Sequence, residues 1–149
     1  MALWLTFGIT ALVLIAVAFR IDDWGRDWSQ NTAELTADAD RPGLRPLEIN
    51  ATPEAVAAAV EDWAMKQSQW DIVEVRSEGP DGSIELKLTR TSKLFRFVDD
   101  VGVTLSLSDE TTAVDASSAS RVGKGDLGQN PRNLIELTDA IRDAFPGTQ

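Results

Sequence analysis

The sequence predicts an α+β domain, an antiparallel sheet of four to five strands with two helices on one face, preceded by a single transmembrane helix. An uncharged, mostly apolar run occupies residues 2–19. Four later segments alternate apolar and polar side chains, which is the period of half-buried strands. Two segments carry apolar residues at helical spacing after typical helix-capping residues. The element order β-α-β-β-β-β-α therefore predicts two layers.

The apolar run predicts a transmembrane anchor over residues 2–21. Its eighteen uncharged residues, at about 1.5 Å per residue, reach roughly 27 Å, close to the thickness of a bilayer core. Trp4 near one end and Trp24 and Trp28 beyond the other have the spacing of two membrane-interface belts. A cleaved signal peptide is the alternative, because residues 16–18 are small, but no positively charged segment precedes the run. We expect a retained single-pass anchor that contacts the lipid bilayer and other membrane protein subunits.

The charged residues that follow the apolar run bear on which side of the membrane the soluble domain lies. Arg20 and Arg26 follow the run and no Lys or Arg precedes it, which favours a cytoplasmic domain by the positive-inside rule. The export-like small residues and the acids Asp22, Asp23 and Asp27 point the other way. We expect a bacterial inner membrane, or an equivalent energy-transducing membrane, with the soluble domain on the periplasmic side.

Residues 22–46 are predicted to be an interfacial segment and linker. Residues 29–46 are polar, contain Pro and Gly and have little periodicity, which is typical of a linker or of a chain draped along a surface. The α+β domain is expected over residues 47–146. It begins with a short strand at 47–49 and a helix over 53–67 with Thr52 as its N-cap.

Four strands then follow, around residues 72–75, 84–88, 101–107 and 114–118, with turns at 78–82 and 108–112. The last helix is expected to have Asn130 as its N-cap and Pro131 at its first position. Its buried face is predicted to carry Leu134, Leu137, Ile141 and Phe145.

Composition restricts the chemistry of this chain. It has no Cys, His or Tyr, and 14 Lys and Arg stand against 24 Asp and Glu, a net charge of −10. Thiol nucleophiles, imidazole catalysis and sites with thiolate or imidazole metal ligands are therefore excluded, and the acids are too scattered to predict an all-oxygen metal site. The negative charge disfavours nucleic acid. We expect a non-catalytic protein with no cofactor and no metal.

The segment Gly123-Lys124-Gly125-Asp126-Leu127-Gly128 has the G-x-G-x-x-G spacing of a dinucleotide-binding loop. Such a loop needs a second parallel strand after its helix, and the chain ends before one can form. The glycines are instead expected to supply positive φ for a tight strand-to-helix connection. An anion site made of backbone amides and nearby cations is the alternative. Its candidate residues are Arg121, Gly123, Lys124, Gly125, Gly128 and Arg132.

Two adjacent acids, Asp99 and Asp100, fall on a predicted strand. Successive side chains of a strand point to opposite faces, so these two cannot act together as acid and base on one substrate unless a β-bulge reorients one of them. We expect a structural salt bridge from Asp99 or Asp126 to Arg121, which would tie the glycine loop to the sheet.

The runs FRFVDDVGVTLSLSD and TAVDASSASRVGKGDLGQNPRNL resemble the bacterial and plastid family known as domain of unknown function 1499. That family combines an aromatic-rich strand, an Asp-Asp pair and a strand ending in S-x-S-R-V-G-x-x-D-L-G-x-N. The resemblance covers residues 47–145 and implies a fold but no reaction. Thr104 and Ser117 stand where the family usually has arginines, which favours a scaffold role over ligand binding. The matching residues are Phe95, Phe97, Asp99, Asp100, Ser118, Ser120, Arg121, Val122, Gly123, Asp126, Leu127, Gly128, Asn130 and Arg132.

These observations predict a non-catalytic, single-span accessory or assembly subunit of a larger membrane protein complex. The alternative is a binding module for a small anion or a lipid head group at the glycine-rich loop. An enzyme is a third hypothesis, which a convergent cleft containing Asp99, Asp126 and Ser120 would favour.

Overall fold

The computed structural model describes residues 2–18, 25, 29–76, 82–93 and 96–147, and it confirms the predicted α+β class. Its elements in chain order are α1 (Ala2–Ala18), β1 (Thr32–Glu34), a 3₁₀ helix (Pro42–Leu44), β2 (Leu47–Ile49), α2 (Pro53–Lys66), β3 (Trp70–Arg76), β4 (Ile84–Thr91), β5 (Val98–Ser108), β6 (Thr111–Ser120) and α3 (Gln129–Ala144). Phe95 and most of the predicted 78–82 turn lie outside the described residues.

Within the described part of the chain, six strands form one antiparallel sheet in the order β1-β6-β5-β4-β3, and β2 also pairs with β6. The predicted four to five strands omitted β1, which lies inside the segment predicted as a linker. β1 forms because Thr32 and Glu34 align with Ala119 and Ser117 of β6. Residues 32–34 of the predicted linker are therefore paired with the sheet.

Two helices cover one face of the sheet, which we call the inner face, and the other is the outer face. α2 begins as predicted, with the Thr52 side chain accepting from the amide of Ala55 at 3.4 Å. Strand residues such as Leu86, Val103 and Leu105 pack beneath the helices in a single apolar core. The sandwich thus has one buried and one open sheet face, as the alternating pattern predicts.

The start of α3 differs from the prediction. The helix begins at Gln129, and Gly128 holds the N-cap position with a φ of 72°. Asn130 is therefore inside the helix and fully buried rather than capping it. Leu134, Leu137 and Ile141 are buried as predicted, and Phe145 is partly buried just after the helix ends.

The N-terminal helix α1 presents apolar side chains to all sides. At 3.6 residues per turn, the consecutive residues 12–15 point in every direction around the axis, and all four are exposed. Within the described residues, no helix has both the length and the apolar character needed to cross a membrane. Trp24, Trp28 and the side chain of Trp4 lie outside the described part of the chain.

Candidate functional site

The glycine segment connects β6 to α3, and we call residues 121–128 the β6–α3 corner. Gly123 and Gly128 have φ values of 101° and 72°, in the region that favours glycine, and Leu127 also has a positive φ of 52°. A Cβ on Gly123 would also meet the carbonyl oxygen of Gly125 at 3.3 Å. Two of the three glycines are thus required by the backbone, whereas the third left-handed position is occupied by a leucine.

Asp126 caps α3. Its Oδ1 accepts a hydrogen bond from the Gly128 amide at 2.8 Å and its Oδ2 accepts one from the Asn130 amide at 2.8 Å. The first amides of a helix have no intrahelical partner, and a carboxylate there is also favoured by the helix dipole. These are the amides that a bound anion would use. The carboxylate of the chain itself therefore occupies the centre of the predicted anion site.

The three cations predicted for that site do not converge on those amides. Arg121 donates from Nε and Nη2 to the carboxylate of Asp100 at 2.9 and 2.6 Å. Arg132 donates from Nη2 to the carbonyl oxygen of Leu127 at 2.7 Å, and Lys124 is exposed. The hydrogen bonds from Arg121 hold the pKa of Asp100 below its ordinary value.

The salt bridge of Arg121 thus uses Asp100 rather than Asp99 or Asp126. Asp99 points to the inner face and is 3% exposed, and the Asp126 carboxylate is engaged by helix amides. Asp100 points to the outer face beside Arg121, as expected for adjacent residues of a strand. The bridge still ties the corner to the sheet, but it does so on the exposed side.

A buried hydrogen-bond network joins the end of the sheet to α3. Ser120 Oγ donates to Asp99 Oδ1 at 2.7 Å, and Asn133 Nδ2 donates to Asp99 Oδ2 at 2.9 Å. Asn133 Nδ2 also donates to Ser118 Oγ at 3.1 Å, and Ser118 Oγ donates to Asn130 Oδ1 at 2.6 Å. Asn130 Nδ2 in turn donates to Ser120 Oγ at 3.0 Å. We call these five residues the Asp99 network.

The N-terminal segment enters the domain at this network. The carbonyl oxygen of Asn31 accepts from Asn130 Nδ2 at 2.7 Å and from the Ser120 amide at 2.9 Å. The Asn31 side chain donates to the carbonyl oxygen of Gly123 at 3.0 Å, and the carbonyl oxygen of Gln30 accepts from the Asp126 amide at 3.2 Å. The entering chain is therefore fixed to the β6–α3 corner.

Sequence reasoning missed Asn31 and Asn133. Asn31 lies in the predicted linker, where nothing marks it. Asn133 had a detectable signal, because it stands three residues after Asn130 and four before Leu137, on the buried helix face. Two asparagines on an apolar stripe indicate a buried polar cluster.

The polar groups of the Asp99 network are hydrogen-bonded to one another. Ser120 Oγ gives its hydrogen to Asp99 and accepts one from Asn130, so this hydroxyl is held within the network. Within the described residues, no group of three or more His, Cys, Asp or Glu side chains is placed to hold a metal ion. Buried polar groups are costly unless they are paired, and the network pairs them.

A separate groove of about 320 Å³ opens on the outer face of the sheet, with Gly102, Lys87 and Asp115 among its lining residues. Thr104 and Ser117 also line it. These are the positions where the resemblance leads one to expect arginines, so the groove of this chain has hydroxyl groups in place of two guanidinium groups.

Comparison with known families identifies the domain. A family model described as "Protein of unknown function (DUF1499)" matches residues 26–141. The match begins well before residue 47, the start expected from the resemblance, and so includes Asn31 and β1. No curated protein and no solved structure matches the chain.

Proposed function

The chain belongs to the DUF1499 family, and from this premise we propose that it is a non-catalytic accessory or assembly subunit of a larger membrane protein complex. Its N-terminal segment, residues 2–21, holds it at the membrane and contacts other subunits. The observation that carries this proposal is the exposed apolar surface of α1.

That surface is large for a protein of this size. Six large apolar side chains between Phe7 and Ile15 are each more than half exposed, and Leu12 reaches 70%. A helix that is hydrophobic on all sides is stable in a protein core or in a membrane. Covering side chains of this kind contributes about 2 kcal/mol each, so on the order of 10 kcal/mol favours a lipid or protein environment for α1.

The composition and the hydrogen bonds of the domain support a non-catalytic role. The chain has no Cys or His, and the hydroxyl of Ser120 and the carboxylate of Asp99 are engaged with each other in a buried network. The expected location is a bacterial inner membrane or an equivalent energy-transducing membrane, with the domain on the periplasmic side.

The experiment compares Leu14→Arg with Leu107→Arg in the full chain. The two leucines are matched in exposure, at 64% and 66%, but Leu14 is in α1 and Leu107 is near the far end of β5. An arginine near the centre of a membrane helix costs about 3 kcal/mol, roughly a hundredfold in partitioning. We expect a larger fraction of Leu14→Arg than of the wild type or Leu107→Arg to be released from alkali-washed membranes.

Two results would separate the parts of this proposal. If both arginine variants behaved alike in the washed membranes, α1 would not be the anchor. The wild-type protein solubilised in mild detergent is expected to migrate with a larger complex, and migration as a lone chain would exclude the subunit role.

A further inference from the structure

A surface at one end of the domain is formed by residues 92–93 and 96–97, which lie between β4 and β5, and by the β6–α3 corner (residues 121–128). We call it the basic rim. Both segments leave the same end of the sheet, and they expose the cations Lys93, Arg96 and Lys124. In a chain with a net charge of −10, this end carries a local excess of positive charge.

The acid of the corner and the acid that adjoins it on β5 are engaged. Asp126 is the one acid in these two segments of the sequence, and its carboxylate accepts from the amides of α3. Asp100 accepts from Arg121. Lys93, Arg96 and Lys124 therefore set the charge that the rim presents to solvent.

Apolar side chains stand among these cations. Phe97, Val122 and Leu127 are 52%, 65% and 37% exposed. The Arg121 amide donates to the carbonyl oxygen of Val98 at 3.1 Å, which continues the β5–β6 pairing to the residues that adjoin Phe97 and Val122. Cations with protruding apolar side chains are the composition of a surface that enters lipid head groups.

The path of the chain brings this same end towards α1. Gln30 and Asn31 are hydrogen-bonded to the corner, and eleven residues separate Ala18 from Gln30. Even fully extended, eleven residues span at most about 40 Å. The opposite end of β5 and β6 has the acidic hairpin residues Asp109 and Glu110, so the two ends of the sheet differ in charge.

We propose that the basic rim is a contact surface for the head groups of anionic lipids, with Phe97, Val122 and Leu127 inserted among them. This inference rests on the proposed attachment of α1 to the membrane, and it adds which end of the domain faces the bilayer. Lys93, Arg96 and Lys124 attract the lipid phosphates, and the apolar side chains leave water.

The test exploits the absence of cysteine from the sequence. Val122→Cys and Leu107→Cys, matched at 65% and 66% exposure but at opposite ends of the sheet, each receive the environment-sensitive fluorophore NBD. The labelled full chains are reconstituted in vesicles of phosphatidylglycerol and phosphatidylcholine in equal parts that contain nitroxide-labelled lipids. We expect several-fold stronger quenching at position 122 than at 107, and loss of most of that difference when Arg96→Glu and Lys124→Glu are added.

The outcomes distinguish this inference from the proposed function. Vesicles that carry the chain but quench both positions equally would overturn the inference and leave the anchor standing. A chain that does not float with the vesicles would overturn both. Protection of position 122 from aqueous iodide in native membranes, without nitroxide quenching in lipid vesicles, would assign the rim to a partner protein and overturn the inference.

Discussion

Replacement of Asn133 by alanine tests whether the Asp99 network holds the domain together. Asn133 is fully buried, and its Nδ2 donates to Asp99 and to Ser118 at 2.9 and 3.1 Å. Alanine removes both donors. The buried carboxylate then loses one of the two side-chain donors that hold it.

The magnitude follows from these contacts. A hydrogen bond to a charged group contributes about 1.5 to 3 kcal/mol and a neutral one about 1 kcal/mol. Asn133→Ala should therefore lower the free energy of unfolding by about 2.5 to 4 kcal/mol, a large part of the roughly 5 to 15 kcal/mol of a typical domain. With an m value of about 2 kcal/mol/M, the urea midpoint should fall by about 1.2 to 2 M.

Urea unfolding of the detergent-solubilised full chain, followed by tryptophan fluorescence, measures this change. Trp63 and Trp70 lie with ring centroids 4.8 Å apart beside the core, so unfolding alters their surroundings. Asn50→Ala is the control, because Asn50 is exposed and surface substitutions usually change stability by less than about 0.5 kcal/mol. Equal midpoints for the two alanine variants would refute a stabilising role for the network.

Three further predictions concern the corner. Asp126→Ala should destabilise the fold by about 1 kcal/mol because two helix amides lose their acceptor, and Asp126→Asn should cost less; an unchanged melting temperature in Asp126→Ala would contradict the cap. Gly123→Ala should lower the melting temperature because φ is 101° and the new Cβ would be 3.3 Å from a carbonyl oxygen, whereas Gly102→Ala, 3.5 Å from a serine hydroxyl, should be tolerated; the reverse order would refute this. Arg121→Gln should raise the pKa of Asp100 towards its ordinary 3.8 in a carboxyl NMR titration. Because the folded-state pKa is lowered, the pair stabilises the fold above pH 3.8 and that contribution is lost as the pH falls through the folded value; an unchanged pKa in the variant would exclude the pairing.

The sequence patterns predicted most of the fold because strand alternation and helix capping depend on residues that are close together in the chain. Alternation along β5 and β6 follows from one buried and one open sheet face, and Thr52 with Pro53 satisfies the first turn of α2. β1 was missed because its three residues have no periodicity. It becomes a strand through pairing with β6 and through the bonds of Asn31, partners that lie far along the chain.

The site was predicted less completely because several carboxylates could accept hydrogen bonds from the same donors, and the sequence does not show which of them does. The sequence placed Asp99 and Asp100 on opposite faces, and the burial of Asp99 confirms this. The sequence contains several acids that could pair with Arg121. The structure shows that Asp100 pairs with Arg121 and that Asp126 accepts from the helix amides. The predicted N-cap of α3 was wrong for the same reason. The Asp126 carboxylate, rather than the Asn130 side chain, accepts from the first amides of the helix, those of Gly128 and Asn130.

The residues that carry the family resemblance around the corner have roles in folding it. Ser118, Ser120 and Asn130 satisfy one another inside the domain, Asp126 caps α3, and Gly128 takes a left-handed conformation. A strand-to-helix connection that buries this many polar groups is stable only when each has its partner. The string therefore has a structural explanation without a ligand. The apolar surface of α1 and the basic rim are exposed features that these hydrogen bonds do not require, and they are the surfaces at which we propose to test membrane and partner contacts.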